Sequence, residues 1–379
     1  MRNSLTATYK AMIRHPDGVR LEQRSIPKIG VSELLLMPLV AGLCGTDIQI
    51  LRGERDEKAA VIGHEGIAQI VQVGIDCPSE LTPGRFVLIN PTHRTRTDFL
   101  LGHEYDGLFQ EYVHLPAPVV TDGLVVPLDD VFDLEIAPLI EPLAAVLYAF
   151  QLLQPQARGG AMMIYGDGII GHLAILLARI RFGSTLPIIF IHHTEEGLAW
   201  SKAQHIHGDV DLLFSELCHA QMPTPHSILL ATPRTATLNC LSHAINCVAP
   251  QGRIDMLGGL PNDAHLASLP FVNLIALRAA NCAGFPSDGV LTPVTTKENK
   301  LFFLFGQRGV SNHHLLDAVK ELNLHHLQYK KLISHTLNLR DATLFMHQLS
   351  RNGLRKINGQ RVMKLSIHIH TPTHTRYLS

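Results

Sequence analysis

Through residues 8–90 apolar and polar positions alternate with a period of two, the mark of half-buried strands. Residues 34–40 and 67–73 are short, rich in branched side chains and bounded by Gly or Pro. Pro83-Gly84 marks a turn before a further strand at 85–89. Many short strands punctuated in this way predict a barrel. The pattern changes at Ala161. Residues 162–165 read as a buried strand, and 172–181 continue with helical spacing. A strand at 187–191, a strand at 227–231, a helix at 238–248 and a strand at 253–259 follow. Strand and helix in turn predict a doubly wound parallel sheet. Pro261, Pro270, Pro286 and Pro293 break the segment 260–299, where the pattern gives no complete set of elements. Residues 301–306 are predicted as the last strand of that sheet, and 315–322 and 340–349 as helices returning to the first domain. After Leu365 the polar tail, with His368, His370 and His374, is expected to be loose.

A chain of 379 residues is long for one core and comfortable for two domains. The predicted division is 1–150 and 151–305, with 306–379 returning to the first domain and ending in the tail. Apolar residues make up 46%, charged residues 17%, and the net charge is −1, so there is no electrostatic footprint for nucleic acid or an anionic membrane. No apolar run approaches the ~18 residues of a membrane span, and residues 1–30 lack the apolar stretch of a secretion signal. The cysteines, at 44, 77, 218, 240, 247 and 282, form no Cys-x-x-Cys pair. A reducing, cytoplasmic setting is expected. The 23 histidines are scattered and would make net charge fall as pH rises through about 6.5.

The stretch richest in chemistry runs from Gly42 to Gly66. It contains Gly42-Leu43-Cys44-Gly45-Thr46-Asp47 and, after a charged loop, Gly63-His64-Glu65-Gly66. A thiolate, an imidazole and a carboxylate are borderline-soft ligands that suit Zn²⁺. Taken singly, the same residues would read as a buried thiol, a surface histidine and a solvated acid. Three protein ligands with an open position would make the site catalytic rather than structural.

These two clusters resemble those of the zinc-dependent medium-chain alcohol dehydrogenase family, in its polyol and threonine dehydrogenase branch. The resemblance extends from Tyr9-Lys10-Ala11 to about Lys364. It implies a GroES-like β-barrel catalytic domain with a Rossmann nucleotide-binding domain, and one catalytic Zn²⁺ on Cys44 and His64. Glu141, in Glu141-Pro142-Leu143, matches the position that supplies an acidic group to the metal, directly or through water. Glu65 competes for that third place. From the residues alone, Glu141 could equally be a helix-start carboxylate favoured by the dipole, with Pro142 at the first helical position. Many relatives carry four cysteines of a structural zinc where this chain has Pro91-Thr92-His93-Arg94-Thr95-Arg96-Thr97-Asp98, so no structural zinc is expected. Asp106-Gly107-Leu108-Phe109-Gln110-Glu111-Tyr112 resembles the family signature, with Leu108 at a usual glycine position.

Gly166-Asp167-Gly168-Ile169-Ile170-Gly171 lies between a predicted strand and helix, the setting in which Gly-x-Gly-x-x-Gly is a dinucleotide fingerprint. Its glycines allow a tight turn and close approach of a pyrophosphate to the helix N-terminus. The second strand should end in the residue that chooses the cofactor, and His192 stands there, followed by His193 and Thr194. An acid there would select NAD. A protonated imidazole could instead pair with a 2′-phosphate, which favours NADP(H); an NAD enzyme could reach the ribose with Glu195. Arg308, after the last strand, matches a region that approaches the cofactor in the polyol branch.

The mechanism that the resemblance implies is hydride transfer between a nicotinamide cofactor and a small polar alcohol or ketone, such as a polyol, cyclitol, sugar or amino alcohol. Thr46 matches the hydroxyl that hydrogen-bonds the substrate oxygen, and Asp47 is expected to orient a ligand. Gln49 stands where relatives often carry a relay histidine, so the proton must leave by another route. A metal-free quinone or enone reductase of the same fold, and a non-catalytic nucleotide-binding homologue, are the competing readings. Homodimers or homotetramers are usual in the family.

Overall fold

The computed structural model describes residues 7–96, 100–129, 133–156, 160–219 and 221–371. Thr97, Asp98 and His374 of the sequence analysis lie outside the described residues. The chain begins with β1 (Thr8–His15), β2 (Gly18–Ser25), β3 (Leu34–Gly42), α1 (Gly45–Leu51), β4 (Glu65–Val73), β5 (Phe86–Ile89), β6 (Val113–Leu115), α2 (Ala117–Thr121) and β7 (Val125–Pro127). It continues with α3 (Ile140–Leu153), β8 (Ala161–Tyr165), α4 (Ile169–Phe182), β9 (Ile188–His192), α5 (Glu195–Ala203), β10 (Val210–Leu213), β11 (Pro225–Leu230), α6 (Thr237–Cys247), β12 (Arg253–Met256), α7 (Leu274–Ala279), β13 (Thr292–Thr295) and β14 (Leu301–Gly306). The last part is α8 (Asn312–Leu324), α9 (His326–Lys330), β15 (Ile333–Asn338), α10 (Leu339–Asn352), β16 (Lys356–Ile357), β17 (Gln360–Arg361) and β18 (Lys364–His368). Two compact units result, Met1–Glu141 with Leu315–Ser379, and Pro142–His314. Among the described residues no helix is long and apolar enough to cross a membrane.

The first unit is built on a sheet of order β15-β18-β3-β4-β5-β7, with β6 also paired to β3. Every residue of β3 is buried, because it lies inside the sheet with both faces covered. Helix α10 closes this core with Leu339, Ala342, Phe345, Met346 and Leu349, the 3–4 spacing of one helical face. Asn338 caps its start by accepting from Asp341 N at 2.9 Å, and Gly353 ends it at φ 70°.

Past Leu365 the chain is not yet a loose tail. Strand β18 runs on to His368, Ser366 and Ile367 are fully buried, and His370 Nε2 lies 3.0 Å from Glu111 O. The apolar alternation of Leu365 and Ile367 was masked by the polar residues between and after them.

The second unit is a sheet of order β10-β9-β8-β11-β12-β14-β13. The pairs from β10 to β14 are parallel, and their order is that of a doubly wound dinucleotide-binding fold. Strand β14 is the last parallel strand, but β13 pairs antiparallel outside it, within the proline-broken segment that the sequence pattern left unassigned. Asn281 ties that segment down: its amide donates to Val290 O and Gly306 O and accepts from Val290 N.

Candidate metal centre and dinucleotide cradle

Strand register brings the metal candidates together. In the antiparallel pair β3·β4, Gly42 faces Glu65, so Cys44, just past the end of β3, meets His64 and Glu65 at the start of β4. Gly63 permits the approach. Its φ is +100°, and a Cβ there would meet the Phe109 ring at 2.7 Å. Cys44 N donates to Asp47 Oδ2 at 2.9 Å, which fixes the first turn of α1.

The ligand atoms of Cys44, His64 and Glu65 all lie within 4.8 Å of one another, and His64 and Glu65 are buried. Ligands at tetrahedral zinc distances stand about 3.5 Å apart, so small rotations would close this set on one ion. Asp47 Oδ1 lies 3.7 Å from His64 Nδ1, the arrangement in which a carboxylate orients a ligating imidazole. Burial disfavours a charged His64, yet Cys44, Asp47 and Glu65 together push its pKa up to about 10. The surroundings of the imidazole favour positive charge. Thr46 Oγ1 is buried and has no protein partner among the described residues. On donor type, spacing and electrostatics the residues fit a zinc ion.

Glu141 lies outside the three-residue group. Burial, then the Glu65 charge, raises its pKa, against the pull of His64 and Lys364. Helix α3 begins at Ile140, so Pro142 stands at the third helical position rather than the first, still where its missing N–H breaks no intrahelical bond. Gln49 is half-buried on α1.

Three neighbours of this centre escaped the sequence reading. Strand β18 pairs β3 on the side away from β4, with Ser366 opposite Gly42, and continuing that register sets Lys364 beside Cys44 and Glu65. Lys364 Nζ is fully buried, donates to Glu65 Oε2 and reaches Leu43 O at 3.4 Å. Its only sequence signal is a lysine at an inward position of an alternating strand. Arg355 donates to Met363 O; burial lowers its pKa to about 10, with Cys44 and Glu65 opposing. His103 stacks on His64 with ring centroids 5.2 Å apart, and its Nδ1 lies 3.3 Å from Glu57 Oε1. Burial first, then His64 and Arg55, keep it neutral. Nothing in the sequence marks it.

In the segment where the sequence led to no structural zinc being expected, Asn90 Oδ1 accepts from Thr92 N, and His93 Nδ1 accepts from the Thr95 and Arg96 N–H groups.

In the second unit the fingerprint forms a cradle. Gly166 has φ +104°, and a Cβ on Gly171 would strike Gly166 O, so both glycines are needed for the turn after β8. Gly168 is the N-cap of α4 and faces open space, without a side-chain cap. The first N–H groups of α4, at Ile169 and Ile170, are therefore left for an anion. The residues fit a dinucleotide pyrophosphate.

His192 ends β9 as expected but does not face outward. It is fully buried; its Nε2 lies 3.1 Å from Asp211 Oδ1, and its Nδ1 3.8 Å from Asp167 Oδ2. His193 is exposed. Glu195 and Glu196 are exposed in the first turn of α5, which Thr194 caps by accepting from Gly197 N. Arg308 is half-buried, with Nη2 3.7 Å from Cys282 Sγ. Deeper in the sheet, Asp255 Oδ2 accepts from Gln307 Nε2 at 3.3 Å. Burial pushes the Asp255 carboxyl up to about 8, against Arg278 and Gln307.

The family model of the alcohol dehydrogenase GroES-like domain matches residues 30–126. L-threonine 3-dehydrogenase of Bacillus licheniformis is 28% identical over 45% of this chain and 53% of its own length. Galactitol 1-phosphate 5-dehydrogenase of Escherichia coli K12 is 27% identical over 70% of this chain and 80% of that protein. A solved structure of a short chain alcohol dehydrogenase from Escherichia coli CFT073, complexed with NADH, superposes with a TM-score of 0.69 at 19% identity. It covers 96% of this chain and 100% of that one. The chain spans about half the length of the first curated relatives it matches, 53% and 54%. With the register-built Cys44–His64–Glu65 cluster and the 3-2-1-4-5-6 parallel sheet, these likenesses make the chain similar to the zinc-type medium-chain alcohol dehydrogenases.

Proposed function

We propose that the protein is a zinc-dependent dehydrogenase that moves a hydride between a nicotinamide dinucleotide and a small polar secondary alcohol or ketone. The observation that carries the reading is the convergence of the Cys44, His64 and Glu65 ligand atoms in a buried place. Support comes from the fingerprint cradle, from relatives acting on threonine and galactitol 1-phosphate, and from a structural neighbour that holds NADH.

A zinc ion on these three residues would supply Lewis-acid polarisation of the substrate oxygen. The chain's own residues do the rest. Asp47 Oδ1 faces His64 Nδ1 at 3.7 Å, where its charge favours the orientation of the ring, and Oδ2 fixes the turn that carries Cys44. Thr46 Oγ1, buried without a protein partner among the described residues, is available to hydrogen-bond the substrate hydroxyl. Lys364 neutralises and anchors Glu65. Glu141, kept protonated more readily than a free acid, adds a hydrogen-bonding group next to Glu65. The α4 N-terminus binds the pyrophosphate, and Arg308 is a candidate contact to the nicotinamide end.

The test is elemental analysis of protein purified without added metal or chelator, followed by a panel of polyols, sugars, amino alcohols and their ketones with both cofactors. About one zinc per chain and turnover of a secondary alcohol are expected. Metal-free protein that reduces quinones or enones would move the assignment to a reductase of the same fold. Tight nucleotide binding with no turnover at all would favour a non-catalytic homologue.

A further inference from the structure

The adenosine end of a dinucleotide lies at the C-terminal end of the second strand of the sheet, where an acid hydrogen-bonds the ribose 2′-hydroxyl of NAD or a base accommodates the 2′-phosphate of NADP. In this chain the strand-end residue is His192, which by itself suggests a phosphate partner. Its surroundings say otherwise. The ring is fully buried, packs on Phe190 at 4.2 Å between centroids, and stands between two carboxylates. Asp167 comes from the fingerprint loop itself, between Gly166 and Gly168, and Asp211 comes from the adjacent strand β10. Asp211 is held further by Gly208 N, which donates to Oδ1 at 3.0 Å, and by His207 Nδ1, 3.6 Å from Oδ2. Glu195 and Glu196 open the helix that follows.

From Ile191 to Leu198 and from Gly208 to Glu216 the chain has no Lys or Arg. One imidazolium between two carboxylates carries net charge −1, and a neutral imidazole leaves −2. In both states the strand end is negative. Besides His192, the bases in or directly beside these two stretches are the exposed His193 and His207. A 2′-phosphate brings close to two further negative charges at pH 8, whereas a 2′-hydroxyl can donate to a carboxylate.

Resting on the dehydrogenase reading above, we propose that the chain selects NAD(H) over NADP(H). The selecting group is the Asp167–His192–Asp211 cluster, with the acids supplied by the fingerprint loop and by β10 in place of the strand-end acid.

Calorimetric titration of the purified protein with NADH and NADPH at pH 8, without substrate, tests this directly. NADH is expected to bind at least about tenfold more tightly, a difference easily separated by titration. Asp167→Asn and Asp211→Asn should each reduce that ratio several-fold, chiefly by improving NADPH binding. Thermal melts of both variants identify any loss of fold, and the wild-type ratio stands independently of them. Equal or tighter NADPH binding by the wild type overturns the proposal while leaving the dehydrogenase reading intact. An unchanged ratio in both folded variants overturns the assignment to these residues. Failure to bind either nucleotide overturns the dehydrogenase reading itself.

Discussion

Lys364 Nζ sits on Glu65 Oε2, both side chains sealed from solvent, 299 positions apart in the sequence. A buried ion pair adds little when compared with a well-packed apolar pair, but removing one partner strands the other charge. Lys364 is thus the counter-charge that lets a carboxylate stand beside a thiol and an imidazole in the interior of a sheet.

Lys364→Met should lower stability by about 3–5 kcal/mol, the usual cost of an orphaned buried charge. Urea unfolding of the first unit measures it. Pairing Lys364→Met with Glu65→Gln should recover part of the loss, and a double variant as unstable as the sum of the singles would mean the two groups do not interact.

Cys44→Ser should take zinc from about one per chain to near zero. A thiolate is the softest of the three donors, and its hydroxyl replacement stays protonated. Chelator treatment of the wild type should lower the melting temperature, because metal bound only to the folded state stabilises it. Retained zinc in the variant, or a melt indifferent to chelator, would point to a metal held elsewhere.

Asp255 gives the second unit a pH signature. Its carboxyl titrates near 8 in the folded chain, above its ordinary value of 3.8. Between those values the native state holds a proton that the unfolded chain has lost, so stability falls as pH rises. Asp255→Asn keeps the hydrogen bond with Gln307 and never ionises. It should flatten the decline from pH 5 to 9 and be more stable than wild type at pH 9 by a few kcal/mol. Parallel curves for the two proteins would rule the idea out.

Gly171→Ala tests the cradle. A Cβ there overlaps Gly166 O, which cannot move without opening the turn that presents the α4 N–H groups. NADH affinity should fall by roughly tenfold or more, with a stability cost of about 1–3 kcal/mol typical of overpacking. Unchanged affinity would place the pyrophosphate away from this turn.

Much of the architecture was legible because its signals are local. Strands β3, β4 and β5 are short apolar runs between turn residues, and the glycines at 166, 168 and 171 stand between a strand and a helix. The Cys44 and His64-Glu65 clusters were likewise visible, each set off by glycines. What stayed hidden depends on partners far away in sequence. Lys364 reads as a surface lysine until the pairing of β18 with β3 turns it inward. His192 reads as an exposed base until β10 brings Asp211 alongside it. The antiparallel β13 was obscured by Pro293, which an edge strand tolerates and an inner strand would not.

The pairing of β18 with β3 also orders events in time. On a growing chain, Cys44, His64 and Glu65 appear early, but Lys364 follows Glu65 by 299 residues, roughly 15–60 s at 5–20 residues per second. Through that interval Glu65 lacks its lysine partner, and Val40–Gly42 of β3 lack the strand that pairs them. Closing the centre must wait for one of the last strands made. The proposed ligands and the lysine that balances Glu65 are thus made far apart in time.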